Sequence, residues 1–156
     1  MKLTWDGEGR LRAALAVVSL LGLALAVYLT VIRFSGGDLA CVVGGGCEVV
    51  QNSEYATLLG IPVPVLGILG YAGFLLAAAL PGPPGRALGL FNGVVAVAFS
   101  GWLTYVEAFI IEAWCAWCVT SAVLVTIAAL IAVARVVVGH RADGDGPGDD
   151  PEPLRS

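Results

Sequence analysis

Long apolar runs alternate with short polar breaks along this chain, and that alternation predicts its elements. Ala13 to Ile32 is nearly unbroken; Pro62 to Leu80, Leu88 to Ile111 and Trp114 to Val138 follow. A hydrocarbon layer of about 30 Å takes roughly 20 residues of helix, so each run is long enough to span it. Gly, Pro or charge fills the breaks. Backbone polar groups find no water inside lipid, so helices rather than strands are expected. The polar exceptions are few: Asn92 and Glu107 in the third run, Arg135 near the end of the fourth. Between the first two runs, Glu48 to Leu59 has helical periodicity through Val49, Val50, Tyr55, Leu58 and Leu59. It is too short to span and predicts a half-buried or interfacial helix, which Gly60-Ile-Pro62 ends. The pattern predicts an all-α membrane protein: a four-transmembrane-helix bundle over residues 1–138, with an extracytoplasmic loop and short half-helix as its cap. The Asp-, Gly- and Pro-rich tail, 139–156, is expected to be disordered and cytoplasmic.

Composition identifies the solvent. Of 156 residues, 58% are hydrophobic and 13% charged, with a mean hydropathy of +0.90; a soluble domain carries about 25% charged residues. The few basic residues are scattered, which argues against nucleic acid as a partner. The first run is preceded by Lys2, Arg10 and Arg12, like a secretory signal, but it exceeds an apolar signal core and no Ala-x-Ala site follows. It is therefore expected to stay as a helix. Charge bias orients the bundle. With both termini in the cytoplasm, every Lys and Arg except Arg33 lies inside. The 35–61 loop and the 112–114 turn then face outward, as expected for a plasma or inner membrane protein with its active site on the extracytoplasmic side.

The 4 cysteines are not explained by lipid. They form two pairs, Cys41 with Cys47 and Cys115-Ala-Trp-Cys118, and the predicted topology puts both on the outer, oxidising side, where disulfides form and persist. Cys115 and Cys118 share a face at a helix start, where unpaired N–H groups favour a thiolate. Trp114 and Trp117 set that motif at headgroup depth. A dithiol beside lipid can meet a lipid-soluble oxidant, and a quinone is the candidate. Gly44-Gly45-Gly46 predicts a mobile segment around the other pair, able to swing between a soluble partner and the membrane site. Static disulfides remain an alternative, since four cysteines allow three connectivities. Zinc is disfavoured by the Cys-x5-Cys spacing.

The stretch Cys41…Cys47-Glu-Val-Val-Gln-Asn-Ser53-Glu-Tyr55-Ala…Gly60-Ile-Pro62…Gly67…Tyr71, followed by Tyr105…Phe109…Cys115-Ala-Trp-Cys118, resembles the vitamin K epoxide reductase family. It resembles most closely the bacterial members that make disulfides. The DsbB type of quinone-linked oxidase carries its Cys-x-x-Cys in the first external loop, whereas here it is in the second. The resemblance implies a four-helix bundle around a quinone, menaquinone or ubiquinone. Cys118 would face the quinone and form a transient adduct, and Cys115 would resolve it. Cys41 would exchange with a thioredoxin-like (DsbA-like) partner, and Cys47 would hand electrons to Cys115. Ser53 corresponds to a loop Ser or Thr that hydrogen-bonds near the site. The Asn and Tyr that contact quinone in vertebrate relatives fall at Val63 and Ala122, which favours plain quinone reduction over epoxide reduction. Many bacterial members carry a fused thioredoxin-like domain; without one here, the partner is expected to be a separate protein.

Other residues are candidates on weaker grounds. Glu107, one turn below the outer surface, could relay protons to the quinone or snorkel to the interface. Trp102, Tyr105 and Phe109 recur at helical spacing and could wall the quinone ring or pack in the core. Arg33 is expected to anchor to headgroups. Asn92 and Ser100 are expected to hydrogen-bond between helices. Glycines 67, 70, 73, 89 and 93 are expected to let helices pack closely. Two rival functions stand beside the oxidase: a vitamin K quinone or epoxide reductase with the same cysteines, and a non-catalytic protein with structural disulfides.

Overall fold

The computed structural model describes residues 2–37 and 46–144. In chain order its elements are helix α1 (Lys2–Ser35), short helix α2 (Gly46–Gln51), a 3-10 turn (Glu54–Ala56), strands β1 (Thr57–Leu58) and β2 (Ile61–Pro62), and helices α3 (Val63–Ala79), α4 (Gly82–Val106) and α5 (Ala116–Gly144). One turn of π-helix, Glu107–Ile111, continues α4. The segments Gly7–Ser35, Gly82–Ile111 and Ala116–Arg141 are long and apolar enough to cross a membrane. Helix α3 is shorter, 17 residues, or about 25 Å at the helical rise. This is an all-α membrane protein.

Helix α1 packs on α3 and α5, and α4 closes the bundle by packing on both α5 and α3. The core is narrow: Leu15, Ala26, Tyr71, Phe74, Ala78 and Ala128 are buried together. Large apolar side chains such as Leu21, Leu69, Phe91 and Leu130 point outward, as they can when lipid is the surrounding solvent. Small residues bring α4 close to its neighbours. A Cβ added at Gly93 would lie 3.3 Å from Ala129, and one at Gly89 would lie 3.4 Å from both Ala132 and Ala77. Helices α3 and α4 each carry proline in the first turn, where its missing N–H costs nothing.

At the end away from the Cys115 motif, two guanidiniums finish α3. Arg135, wholly buried, donates to the carbonyls of Ala77 (2.8 Å) and Leu80 (3.3 Å). Arg12 donates to those of Ala78 (2.8 Å) and Ala79 (2.9 Å). The last carbonyls of a helix have no partners within it, so these bonds satisfy what the short helix leaves open. Glu8 lies 3.6 Å from Arg86 and 3.7 Å from Arg135.

The elements depart from the sequence expectation in places. Helix α1 starts at Lys2 rather than Ala13, because the polar lead before the apolar run holds no proline and continues the helix. The helix expected over Glu48 to Leu59 stops at Gln51. A two-stranded hairpin follows, pairing Thr57 with Pro62 and Leu58 with Ile61. Its turn residues, Leu59 and Gly60, both have positive φ, 52° and 82°, the geometry that matches strand twist in two-residue hairpins. Ile61-Pro62 is therefore a strand, and α3 begins at Val63. Helix α5 runs past the boundary expected at 138, to Gly144.

Candidate active site

The Cys115 motif is reached through an irregular passage. The chain leaves the π-helical turn at Glu112, a left-handed residue at φ 53°, ψ 32°. The Ala113 N–H returns to the Glu107 carbonyl at 3.1 Å. Single π turns inside helices mark functional sites often, because they rotate one stretch of side chains against the rest. Here the result is a short connection, 112–115, that lies across the bundle end before α5 starts. Cys115 ends that connection and Cys118 sits in the first turn of α5.

The two cysteines of the motif touch each other but border different surroundings. Cys115 is fully buried in a cluster with Cys47 and Val50 of α2. Cys118 is on the wall of a cavity inside the bundle. Among the described residues, Cys115 and Cys118 are free thiols, whereas Cys47 is disulfide-bonded. The Cys118 thiol hydrogen-bonds Cys115, and this bond holds the Cys115 pKa down at about 7 against burial, which pushes it up.

Helix α2 is held as a lid over this region by close backbone contact and by Arg33. A Cβ at Gly46 would lie 2.5 Å from the Trp114 carbonyl oxygen, so only glycine lets α2 sit against the 112–115 connection. Arg33 donates to the Gln51 carbonyl at 3.1 Å and to the Asn52 side chain at 3.4 Å. It thus ties the end of α1 to the lid rather than reaching only for headgroups. Gln51 in turn points its amide at the Cys118 sulfur, 3.9 Å away. Gly46 and Cys47, expected in a mobile segment, are helical and buried; Cys41, Gly44 and Gly45 lie outside the described residues.

The cavity has a volume of about 460 Å³ and is mostly apolar. Leu29, Leu66, Val95, Ala96, Phe99 and Leu103 form much of its wall, and Gly67 and Gly70 widen it. Polar residues on the wall include Gln51, Ser53 and Tyr55 from the lid side, Asn92, Ser100 and Thr104 on α4, Tyr71 and Ser121 opposite, and Glu107 and Cys118. Asn92 also donates to the Gly70 carbonyl at 2.9 Å, bridging α4 and α3 as expected. Ser53 turns its hydroxyl to the Val50 carbonyl at 2.7 Å. Glu107 is 4% exposed; its Oε2 accepts the Cys115 N–H at 3.3 Å, and the carboxyl is a second acceptor for the Cys118 thiol, whose single S–H serves either Cys115 or Glu107 at one time. It is thus buried between the two thiols rather than snorkelling. Tyr71 closes the inner side, sharing a hydrogen bond of 2.9 Å with the Ser121 hydroxyl.

Trp102 and Tyr105 are not on the cavity wall. At about 100° per residue, they fall roughly 140° and 160° around α4 from Glu107, and they are 42% and 56% exposed. Their helical spacing with Phe109 makes an outward-facing aromatic row, in which Tyr105 and Phe109 stack at 5.0 Å. The aromatics that do reach the wall are Tyr55, Tyr71 and Phe99, and Trp102 packs edge-on behind Tyr55 at 6.3 Å. Sequence reading passed over Tyr55, Gln51 and Tyr71 as site residues, although all three stand in the stretch that carries the family resemblance. Val63 is on the wall, while Ala122 lines an outer groove on α5.

Comparison with known proteins places the chain among thiol-redox relatives. Over 45 residues the chain is 47% identical to the thiol-disulfide oxidoreductase LTO1 of Arabidopsis thaliana. That stretch is 28% of this chain and 12% of the Arabidopsis protein. The family model described as the vitamin K epoxide reductase family matches residues 13–133, a span that takes in the Cys115 motif, the lid and nearly all of the bundle, and the chain therefore belongs to the vitamin K epoxide reductase family.

Proposed function

We propose that this protein is a membrane thiol–disulfide oxidoreductase that oxidises a separate thioredoxin-like (DsbA-like) protein and reduces a quinone to quinol. The observation that carries the reading is the division of labour at the motif: Cys115 is buried against Cys47 while Cys118 lines the cavity. Electrons arriving at the loop pair, Cys41 and Cys47, pass to Cys115 and leave through Cys118. The likeness to a plant thiol-disulfide oxidoreductase supports the redox class. The cavity supports the quinone. Its volume is within the roughly 300–1,000 Å³ usual for small-molecule sites, and its walls are apolar with a few convergent polar groups. Gln51, Ser53, Tyr55 and Asn92 would hold the carbonyl oxygens of such a ring, and menaquinone and ubiquinone both have this chemistry.

Four spans and a cytoplasmic N-terminus complete the proposal. The Lys and Arg bias supports that orientation, which puts both cysteine pairs in an oxidising compartment. Helix α3 spans because Arg12 and Arg135 satisfy its end at the cytoplasmic face. The test is Cys118→Ala. It abolishes quinol formation from a reduced partner, while mixed disulfides between the partner and the loop pair still form. Sustained quinone turnover by Cys118→Ala refutes the scheme. A gel-shift titration in which all four thiols stay oxidised at every redox poise favours a structural role instead.

A further inference from the structure

The relay leaves a proton problem that the cavity can solve. Converting two thiols to a disulfide breaks two S–H bonds and forms one S–S bond. The electron pair and both protons end on the quinone as two O–H bonds. One proton starts on Cys118, inside a mostly apolar cavity. The titratable side chains near it are Cys115 and, on the wall, Tyr55, Tyr71 and Glu107; no Lys, Arg, His or second carboxyl lines the wall among the described residues.

Glu107 stands apart among these. It is the wall's one carboxyl among the described residues, it is 4% exposed, and it shares the wall with the Cys118 thiol, for which it is an available acceptor. Its Oε2 is fixed by the Cys115 N–H, and the π-helical turn that starts at Glu107 sets its direction. A buried carboxyl is costly unless something uses or satisfies it. The Cys115 N–H satisfies one oxygen. The other side of the group faces the reacting sulfur.

We propose that Glu107 is the proton carrier of the quinone half-reaction: its carboxylate takes the proton from the Cys118 thiol and delivers it to a quinone oxygen. The second proton comes from Cys115 as the disulfide closes, and Glu107 ends each cycle as the carboxylate it began as. Gln51, whose amide faces the Cys118 sulfur from the lid, steadies the sulfur while its proton is gone. This inference rests on the proposed quinone reduction and adds the route of the proton.

The test uses the full chain in nanodiscs, pre-reduced and freed of reductant, mixed with decylubiquinone for a single turnover. General acid–base groups contribute about 10²–10⁴-fold. Glu107→Gln keeps the shape and the acceptor for the Cys115 N–H, so it should melt like the native protein yet form quinol about 100-fold more slowly. The native rate falls on the acid side as Glu107 becomes protonated; the variant loses that limb of the profile. Glu107→Asp restores the acid limb and at least a tenth of the rate. A Glu107→Gln rate within about threefold of native overturns the proposal. So does a rate loss that leaves the pH profile unchanged, which assigns Glu107 to packing. If the native protein itself forms no quinol, the quinone reading fails instead, a result distinct from either of these.

Discussion

Replacing Gly46 by alanine probes the contact that brings the two thiol pairs together. The new Cβ would lie 2.5 Å from the Trp114 carbonyl oxygen and 2.9 Å from the Trp114 nitrogen. Both are backbone atoms, so no side chain can rotate away. Ordinary contact begins at 3.4 Å, and the nearest approach falls short of that by about 0.9 Å. The lid helix must retreat by roughly that amount, carrying Cys47 away from Cys115. A misplacement of about 1 Å can cost 100-fold in a reaction that depends on alignment. The Gly46→Ala variant is therefore expected to exchange between the loop pair and the Cys115–Cys118 disulfide 10- to 100-fold more slowly. Global stability should change little, because alanine gains about 1 kcal/mol in helix propensity over glycine and offsets part of the strain. Acid quenching and gel-shift alkylation after rapid mixing follow the exchange. Single-turnover quinol formation from pre-reduced Cys115 and Cys118 provides the internal control and should be within about threefold of native. Exchange at the native rate in Gly46→Ala would show that the seat of α2 on Trp114 does not govern the approach of the thiols.

Three further outcomes follow from other contacts. The hydrogen bond from Cys118 holds the Cys115 thiol below its ordinary value; its thiolate therefore contributes stability that is full above the ordinary value and is lost as pH falls through the lowered one. In Cys118→Ala the donor is gone, and thiolate absorbance should titrate at higher pH than in the native protein; an unmoved midpoint contradicts the assigned cause. Tyr71→Phe removes the hydroxyl bonded to Ser121 and should cost about 1 kcal/mol in thermal unfolding in detergent, with an unchanged melting temperature as the contrary result. Arg135→Leu strips the guanidinium from the Ala77 and Leu80 carbonyls and should cost roughly 3 kcal/mol or more, since bonds from a charged donor are worth about 1.5–3 kcal/mol each; native stability would mean that water satisfies those carbonyls.

Much of the scaffold was legible because lipid imposes a simple rule on the sequence. Apolar runs between glycine, proline and charge become helices, and the runs around Val18, Phe99 and Leu124 did so. The lid was not legible. The periodicity of Val49, Val50, Tyr55 and Leu58 fits a helix, but the segment breaks after Gln51 and turns back at Leu59–Gly60, where the tertiary seat on Trp114 and Arg33 decides the path. Spacing groups the cysteines into two sets, of which Cys41 lies outside the described residues. That Cys118 alone reaches the cavity while Cys115 stays buried beside it against Cys47 could not be read, because spacing of three puts them on one helix face only if both are in the helix. Cys115 lies just before it. Trp102 and Tyr105 were read as wall residues from their spacing alone; spacing finds a row, and only the phase relative to Glu107 says which way the row faces.

The π-helical turn has a consequence for how such chains should be compared. A π turn holds one residue more than the regular ladder requires, so removing a residue there would leave a continuous α-helix rather than a gap. Every side chain beyond it would swing by about 100°. The eight-residue interval between Glu107 and Cys115 therefore includes the extra residue of the π turn. Two chains with the same carboxylate and the same cysteines, but an interval of seven, would carry identical letters and a different path from the acid to the motif. Alignments that place a gap freely between the third apolar run and the cysteine motif will merge the two kinds; an alignment that counts the interval will separate them.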